Sequence, residues 1–280
     1  MKMNLRLKIG LIILAIFVLG SFILPLFNDI DPSRQGSYPK NLPISLEHPL
    51  GTNSLGQSIF WFLVIAIRNS LLLGVSVSCV TTLLAGISGL VAGYVGGLPD
   101  RALTALMDTF IAIPAFPILI ILSTLVRGNT FFMGNTSFMM VGLILVFFGW
   151  PWSARTVRSM ALSIREREFI SMAKFSGSAT LEIVFREIFP YVYAYMVVSF
   201  INAILWVITM ESSLAVIGLS KVEIPTLGSI LFWALSYNAL FTKQYVWIVA
   251  PVVATVLLFL GLFLTSTGYN QMYATRRGHA

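Results

Sequence analysis

"SIREREFISMAKFSGSATLEIVFREIFP", residues 163–190, is a charged island in a chain that is otherwise mostly hydrocarbon. Between Arg155 and Glu187 stand Arg155, Arg158, Arg165, Glu166, Arg167, Glu168, Lys174, Glu182, Arg186 and Glu187, ten of the 29 charged residues in the protein. Placing the eight from Arg165 to Glu187 at mid-bilayer would cost on the order of 20 kcal/mol on an insertion scale. The segment therefore lies outside the hydrocarbon. Phe169, Met172, Ala173 and Ser176 recur at helical spacing, which predicts a short amphipathic helix ended by Gly177 in a left-handed cap. A second short helix follows, with Ser178 or Thr180 as N-cap and an apolar face of Leu181, Val184, Phe185 and Ile188, up to Pro190. Periodicity alone allows two uses for this pair, a helix pair resting on anionic lipid or a projection fitted to a groove on a partner protein.

Working outward, 57% of the 280 residues are hydrophobic and 10% charged, and mean hydropathy is +0.88. Six apolar runs reach or approach the ~20 residues that cross a bilayer as helix, at about 9–27, 69–95, 102–126, 137–153, 191–217 and 245–266. The expected fold is an all-α polytopic membrane protein with six transmembrane helices. Its parts are 1–27 (terminal end and first helix), 28–68 (an extracytoplasmic loop) and 69–280 (a five-helix core including the loop 163–190). The basic start resembles a signal peptide but has no A-x-A site, so it reads as a retained helix. An even span count puts both termini on one side. With that side cytoplasmic, the inner segments carry twelve Lys and Arg and the outer ones six, of 18 in all, as the positive-inside rule requires.

The net charge of +7 is scattered between apolar runs rather than gathered in a stripe, which argues against nucleic-acid binding. Cys79, the single cysteine, permits no intrachain disulfide. His48 and His279 fall on opposite faces, so no histidine metal site is expected. There is no phosphate-cradling G-x-x-x-x-G-K-[ST] loop and no G-x-S-x-G elbow, which excludes an ATP site and an intramembrane serine hydrolase. Gly89 and Gly93 have the small-xxx-small spacing that lets another helix approach closely, read as packing rather than a permeation role, and the Gly-rich face of this span is expected to need a helix of a second subunit. Pro114 and Pro117 predict a kink in the third span. Asp108 and Glu211 are the acids nearest the bilayer. Asp108 reads either as an interfacial residue or as a functional one. Glu211, near the outer end of its span, reads either as a pair across subunits or as a helix cap.

Residues 171–190 resemble the so-called EAA loop of binding-protein-dependent ABC importers, with Gly177 and Pro190 at the pattern's thirteen-residue separation and Ile188 two before the proline. Ser171 and Met172 stand where that pattern has Glu and Ala, and Phe189 where it has Leu. "HPLGTNSLGQSIF" (48–60), "AGYVGG" (92–97), Asp108 with Pro114, "GWPWSARTVRSMALSIREREF" (149–169) and Glu211 before "AVIGL" are similar to the second permease subunit of the peptide/nickel family. "GLSKVEIPTLG" (218–228) keeps Pro225 and Gly228 but has Leu227 in place of a Trp.

The resemblance implies a non-enzymatic permease subunit in the cell inner membrane, paired with a second permease. Two ATPase subunits would dock on 163–190, and a substrate-binding protein would deliver oligopeptides or dipeptides, with oligosaccharides or nickel chelates as the alternative cargo. ATP and Mg would sit on the ATPases, and this chain would hold no cofactor. Contact with the ATPase is expected from Phe169, Ser171, Met172, Ala173, Phe175, Gly177, Ser178, Ile188 and Pro190. Asp108, Pro114 and Glu211 are the candidates for a gate or helix pairing. Phe175 reads either as an anchor in the ATPase groove or as an aromatic resting on lipid headgroups. The rival from a different class is a secondary carrier or channel, which would need coupling acids deep in the membrane.

Overall fold

The computed structural model describes residues 4–27, 31–128 and 136–277. Lys2, residues 28–30 of the expected outer segment and His279 lie outside the described residues. Apart from one isolated antiparallel bridge, Thr52 with Ser58, the regular structure among them is helical. The helices are α1 (Leu5–Ile23), α2 (Ile59–Leu90), α3 (Gly97–Ala112), α4 (Ala115–Gly128), α5 (Thr136–Arg165), α6 (Glu168–Phe175), α7 (Thr180–Glu182), α8 (Phe189–Val216), α9 (Leu227–Ser236) and α10 (Tyr245–Arg277). Among the described residues five stretches are long and apolar enough to cross a membrane, and six if the bent pair α3 and α4 is one span.

Three expected spans change as follows, and the sixth runs past 266 to Arg277. The second span begins at Ile59, ten residues before position 69, so Arg68 is in the helix. No proline falls between Pro49 and Pro99, and once Ser58 is passed nothing resists helix. The third span is broken rather than kinked: α3 and α4 meet at 84°. Ile113, held extended (φ −78°, ψ 126°), is the residue before Pro114, where ring sterics disfavour helix. The fourth span runs on to Arg165, so Arg155 and Arg158 ride on the helix itself.

α2 lies at the centre, packed on α5 and α8, while α1 packs along α10. Gly89 and Gly93 bring α2 against α5, because a Cβ on Gly89 would stand 2.6 Å from the Ala154 carbonyl, and one on Gly93 2.6 Å from that of Arg158. The close helix predicted from the glycine pair therefore belongs to this same chain, and the pair gives no reason to invoke a second subunit. At the other seam, a Cβ on Gly268 would meet the backbone nitrogen of Leu7 at 2.6 Å. There Asn4 caps α1 by accepting from Leu7 N at 2.9 Å and donates to the Gly268 carbonyl at 2.8 Å.

Residues 31–58 fold into a cap at the end of the bundle opposite α6. Thr52 Oγ1 donates to the Pro39 carbonyl (2.7 Å) and accepts from Leu42 N (2.8 Å). Asn53 Oδ1 accepts from Leu55 N and Gln57 N, and Gln57 Nε2 ties back to the Ser33 carbonyl at 2.7 Å. The four prolines of this segment prevent long helix, and these side chains supply the backbone partners that helix would have provided. His48 is buried, edge-on to Tyr38 at 4.6 Å.

Candidate functional site

The charged island folds as a bracket on the end of α5 and the start of α8. Arg167 leaves helix (ψ 145°) and α6 begins at Glu168. Glu168 in its first turn and Lys174 in its last both suit the helix dipole. Gly177 N donates to the Lys174 carbonyl (3.0 Å) and Ser178 N to that of Ala173 (3.2 Å), the paired bonds of a Schellman ending, with Gly177 at φ +81° as the left-handed residue. The expected glycine turn is present. The second helix is not a separate one: Thr180–Glu182 passes through a π turn, Ile183–Ile188, directly into α8. Its N-cap position is Ala179, and neither Ser178 nor Thr180 supplies a capping side chain there.

That π turn changes the face predicted for this stretch. A five-residue repeat brings Ile183 and Ile188 together, and both are buried with Ile170, Ile164, Val192 and Tyr94 in one cluster. Leu181 and Phe185, expected to share one apolar face with Ile188, are 70% and 65% exposed while Ile188 is buried. They join Met172 and Phe175, 69% and 92% exposed, as an outward apolar set between charged neighbours. The candidate contact residues thus divide. Ser171, Met172, Phe175, Gly177 and Pro190 are exposed, and the Pro190 carbonyl accepts from Tyr273 Oη at 3.1 Å. Ile188 is buried, Ala173 and Ser178 are half-buried, and Phe169 stacks on Tyr191 at 5.7 Å. Lys174 Nζ sits 5.4 Å from the Tyr94 ring centroid, a cation–π contact that holds α6 to the bundle.

Asp108 pairs with Arg155, Oδ1 to Nη1 at 3.1 Å. A second bridge between α3 and α5, missed in the sequence, joins Asp100 to Arg158 through both guanidinium nitrogens that face it, with Nη2 to Oδ2 at 2.9 Å. An acid in the first turn of a helix was the available signal for Asp100, but its partner is 58 residues away. Pro114 stands exposed in the break between α3 and α4.

Glu211 is 1% exposed and closed off inside its own chain, so it neither pairs at a subunit surface nor caps a helix. Its Oε1 accepts from Ser220 Oγ and Thr226 Oγ1, each at 3.0 Å. Thr226 is also the N-cap of α9, in a reciprocal box with Ser229, a T-x-x-S spacing legible in the sequence. Asn69 Nδ2 donates to the Pro225 carbonyl (2.9 Å) and Leu227 N to Ser70 Oγ (3.1 Å). Glu211 is therefore the fastener of the hairpin 217–236 on the bundle. Leu227 is buried in the core at 1% exposure, so its difference from Trp is a matter of packing.

Between α8, α5 and the α3/α4 break lies an open hollow of about 510 Å³, lined by Phe110, Pro114, Trp152, Ser153, Asn202 and Trp206 among others. A second hollow of about 780 Å³ follows along α5 and α8, lined by Thr156, Ser159, Met160, Ser163, Arg167 and Tyr191 among others.

A family model described as "Binding-protein-dependent transport system inner membrane component" matches residues 85–278. An oligopeptide transport system permease protein of Mycobacterium tuberculosis is 34% identical over 176 residues, 63% of this chain and 58% of that relative, so the matched stretch spans just over half of it. The oligopeptide permease of Lactococcus lactis subsp. cremoris is 26% identical over 79% of this chain and 74% of its own. A dipeptide transport system permease of Bacillus subtilis is 28% identical over 86% and 77%. In three dimensions the chain is similar to one of the inward-facing MetNI methionine ABC transporter, with TM-score 0.56 and 17% identity over 75% of this chain and 97% of that one. That likeness concerns the fold.

Proposed function

Since the chain belongs to the family of binding-protein-dependent transport system inner membrane components, we infer that this multi-pass membrane protein is one permease subunit of an ATP-driven importer of oligopeptides or dipeptides. The cargo class is that of its oligopeptide and dipeptide permease relatives. A second permease completes the path along the α5/α8 groove, a substrate-binding protein docks on the cap 31–58, and two ATPase subunits, which hold ATP and Mg, dock on α6. Both termini and α6 are cytoplasmic.

The observation that carries this reading is the outward set Met172, Phe175, Leu181 and Phe185, held by the buried Ile170, Ile183 and Ile188. Four exposed apolar side chains on a rigid mount, ringed by charge, suit a protein groove. When the ATPases close, the mount moves with α8 as one piece, since the π turn joins them without a break, and the motion reaches the hollows.

The test is reconstitution of the chain with its second permease, ATPases and binding protein in proteoliposomes. Peptide uptake should require ATP and every partner, and the chain alone should hydrolyse none. Uptake by this chain without ATPases would instead identify a carrier.

A further inference from the structure

Among the described residues, the non-glycine positions with a left-handed backbone are Asn41 (φ 59°), Asn238 (φ 50°) and Lys243 (φ 59°). That conformation is uncommon for lysine and persists where the surrounding structure fixes it. All three belong to one seam, where the cap meets the turn between α9 and α10. The Asn238 carbonyl accepts from Phe241 N (2.9 Å) and Thr242 N (3.1 Å), and Gln244 N donates to the Ala239 carbonyl (2.8 Å). Ser54 Oγ stands across the seam, 3.1 Å from Asn41 Oδ1 and 3.5 Å from Gln244 Oε1.

Between the two walls lies an open hollow of about 280 Å³. Buried Ile59 and Trp247 line it, together with exposed Ile44, Thr242, Lys243 and Tyr245. Lys243 is the charged residue of that lining. Residues 41–50 and 237–244 are irregular, and irregular backbone does not face lipid hydrocarbon. Ile44, 62% exposed, and the fully exposed Leu46 therefore stand outside the bilayer core, uncovered by any described part of the chain. Apolar side chains displayed in this way mark a contact with another molecule. A small apolar hollow with a polar, basic rim suits a reversible contact, whereas permanent subunit contacts are broad and more apolar. In a binding-protein-dependent importer, the partner that comes and goes at the cap end is the binding protein.

We propose that this hollow is a socket for the substrate-binding protein, which seats an apolar side chain against Ile44 and Trp247 and sets a carboxylate beside it on Lys243. The left-handed turn holds the lysine in place before docking, so less freedom is lost when the two proteins meet. This inference rests on the importer reading.

A photo-crosslinking residue at Ile44, and separately at Thr242, reads the socket in the assembled importer in lipid nanodiscs. The importer's own binding protein, loaded with a tripeptide, should be captured at both positions. Lys243→Glu should lower that capture about tenfold and raise by a like factor the binding-protein concentration that gives half-maximal uptake, whereas Lys243→Arg should keep both. Lys243→Asn removes the charge but tolerates the left-handed backbone. It should fall between the two, and gives a second reading if Lys243→Glu disturbs the turn. Capture of lipid, of the second permease or of another copy of this chain in place of the binding protein would overturn the socket, as would capture undiminished by both Lys243→Glu and Lys243→Asn. ATP-driven uptake of the tripeptide by the unsubstituted importer tests the importer reading separately: where uptake is intact, missing capture counts against the socket alone.

Discussion

At Gly177 the backbone is left-handed and nothing lies within 4 Å of where a Cβ would be, so a side chain there meets strain but no collision. Gly177→Val should cost about 1–2 kcal/mol locally and abolish ATP-driven uptake by splaying α6 from α7, while the amount of protein in the membrane stays unchanged. Gly177→Asn, a residue that tolerates this conformation, should keep much of the uptake. Gly93 is the opposite case. Its backbone is helical, but a Cβ would stand 2.6 Å from both the Ala161 Cβ and the Arg158 carbonyl. Gly93→Leu should therefore part α2 from α5, seen as loss of the monodisperse peak in detergent. Glu211→Ala strands two buried hydroxyls and should destabilise by about 1–3 kcal/mol, whereas Glu211→Gln keeps an acceptor and should lose less, as thermal unfolding would measure. The sequence marks all three residues as special. It does not name the partners of Gly93 and Glu211, which lie on other elements.

The elements were legible where a rule is local. The glycine cap of α6 and a bend at Pro114, expected as a kink, follow from residues within one turn of each other, whereas α9 with its Thr226–Ser229 box was not among the expected helices. The π turn was not, because Leu181, Val184, Phe185 and Ile188 fit an α-helical stripe, whereas Ile183 and Ile188 share a face only on a five-residue repeat. Only burial against Ile170 and Val192 chooses between them. That choice separates mount from contact, and the two respond differently to truncation. Ile188→Ala removes a fully buried side chain and should cost about 2–5 kcal/mol of stability. Phe175→Ala, at 92% exposure, should leave the melting temperature unchanged but reduce recovery of the ATPases on an affinity-tagged chain in detergent. Because no bilayer is present in that assay, undiminished recovery would mean that Phe175 rests on lipid headgroups.

Across the whole molecule, two sets of contacts fix its ends. Ser54 reaches Gln244, and Asn69 the Pro225 carbonyl, at the end covered by the cap. Asn4 reaches Gly268, and Tyr273 the Pro190 carbonyl, at the end that carries α6. The chain thus begins beside α6, and α10 returns to the same end. Hydropathy gives that sidedness when the bent pair α3 and α4 counts as one crossing, six in all. On the positive-inside rule the excess of Lys and Arg predicts a cytoplasmic α6 end, and the bridges Asp100–Arg158 and Asp108–Arg155 bear on that count. They neutralise two of the arginines on α5, yet Arg6, Lys8, Arg101, Arg165, Arg167, Lys174 and Arg186 still gather at the α6 end. In a Cys79→Ser background, a membrane-impermeant maleimide added to intact cells should label Gln35→Cys on the cap and spare Ser176→Cys beside the turn, both exposed positions. Opening the cells should expose the second. Labelling of Ser176→Cys from outside would invert the protein and turn α6 away from any ATP-hydrolysing partner.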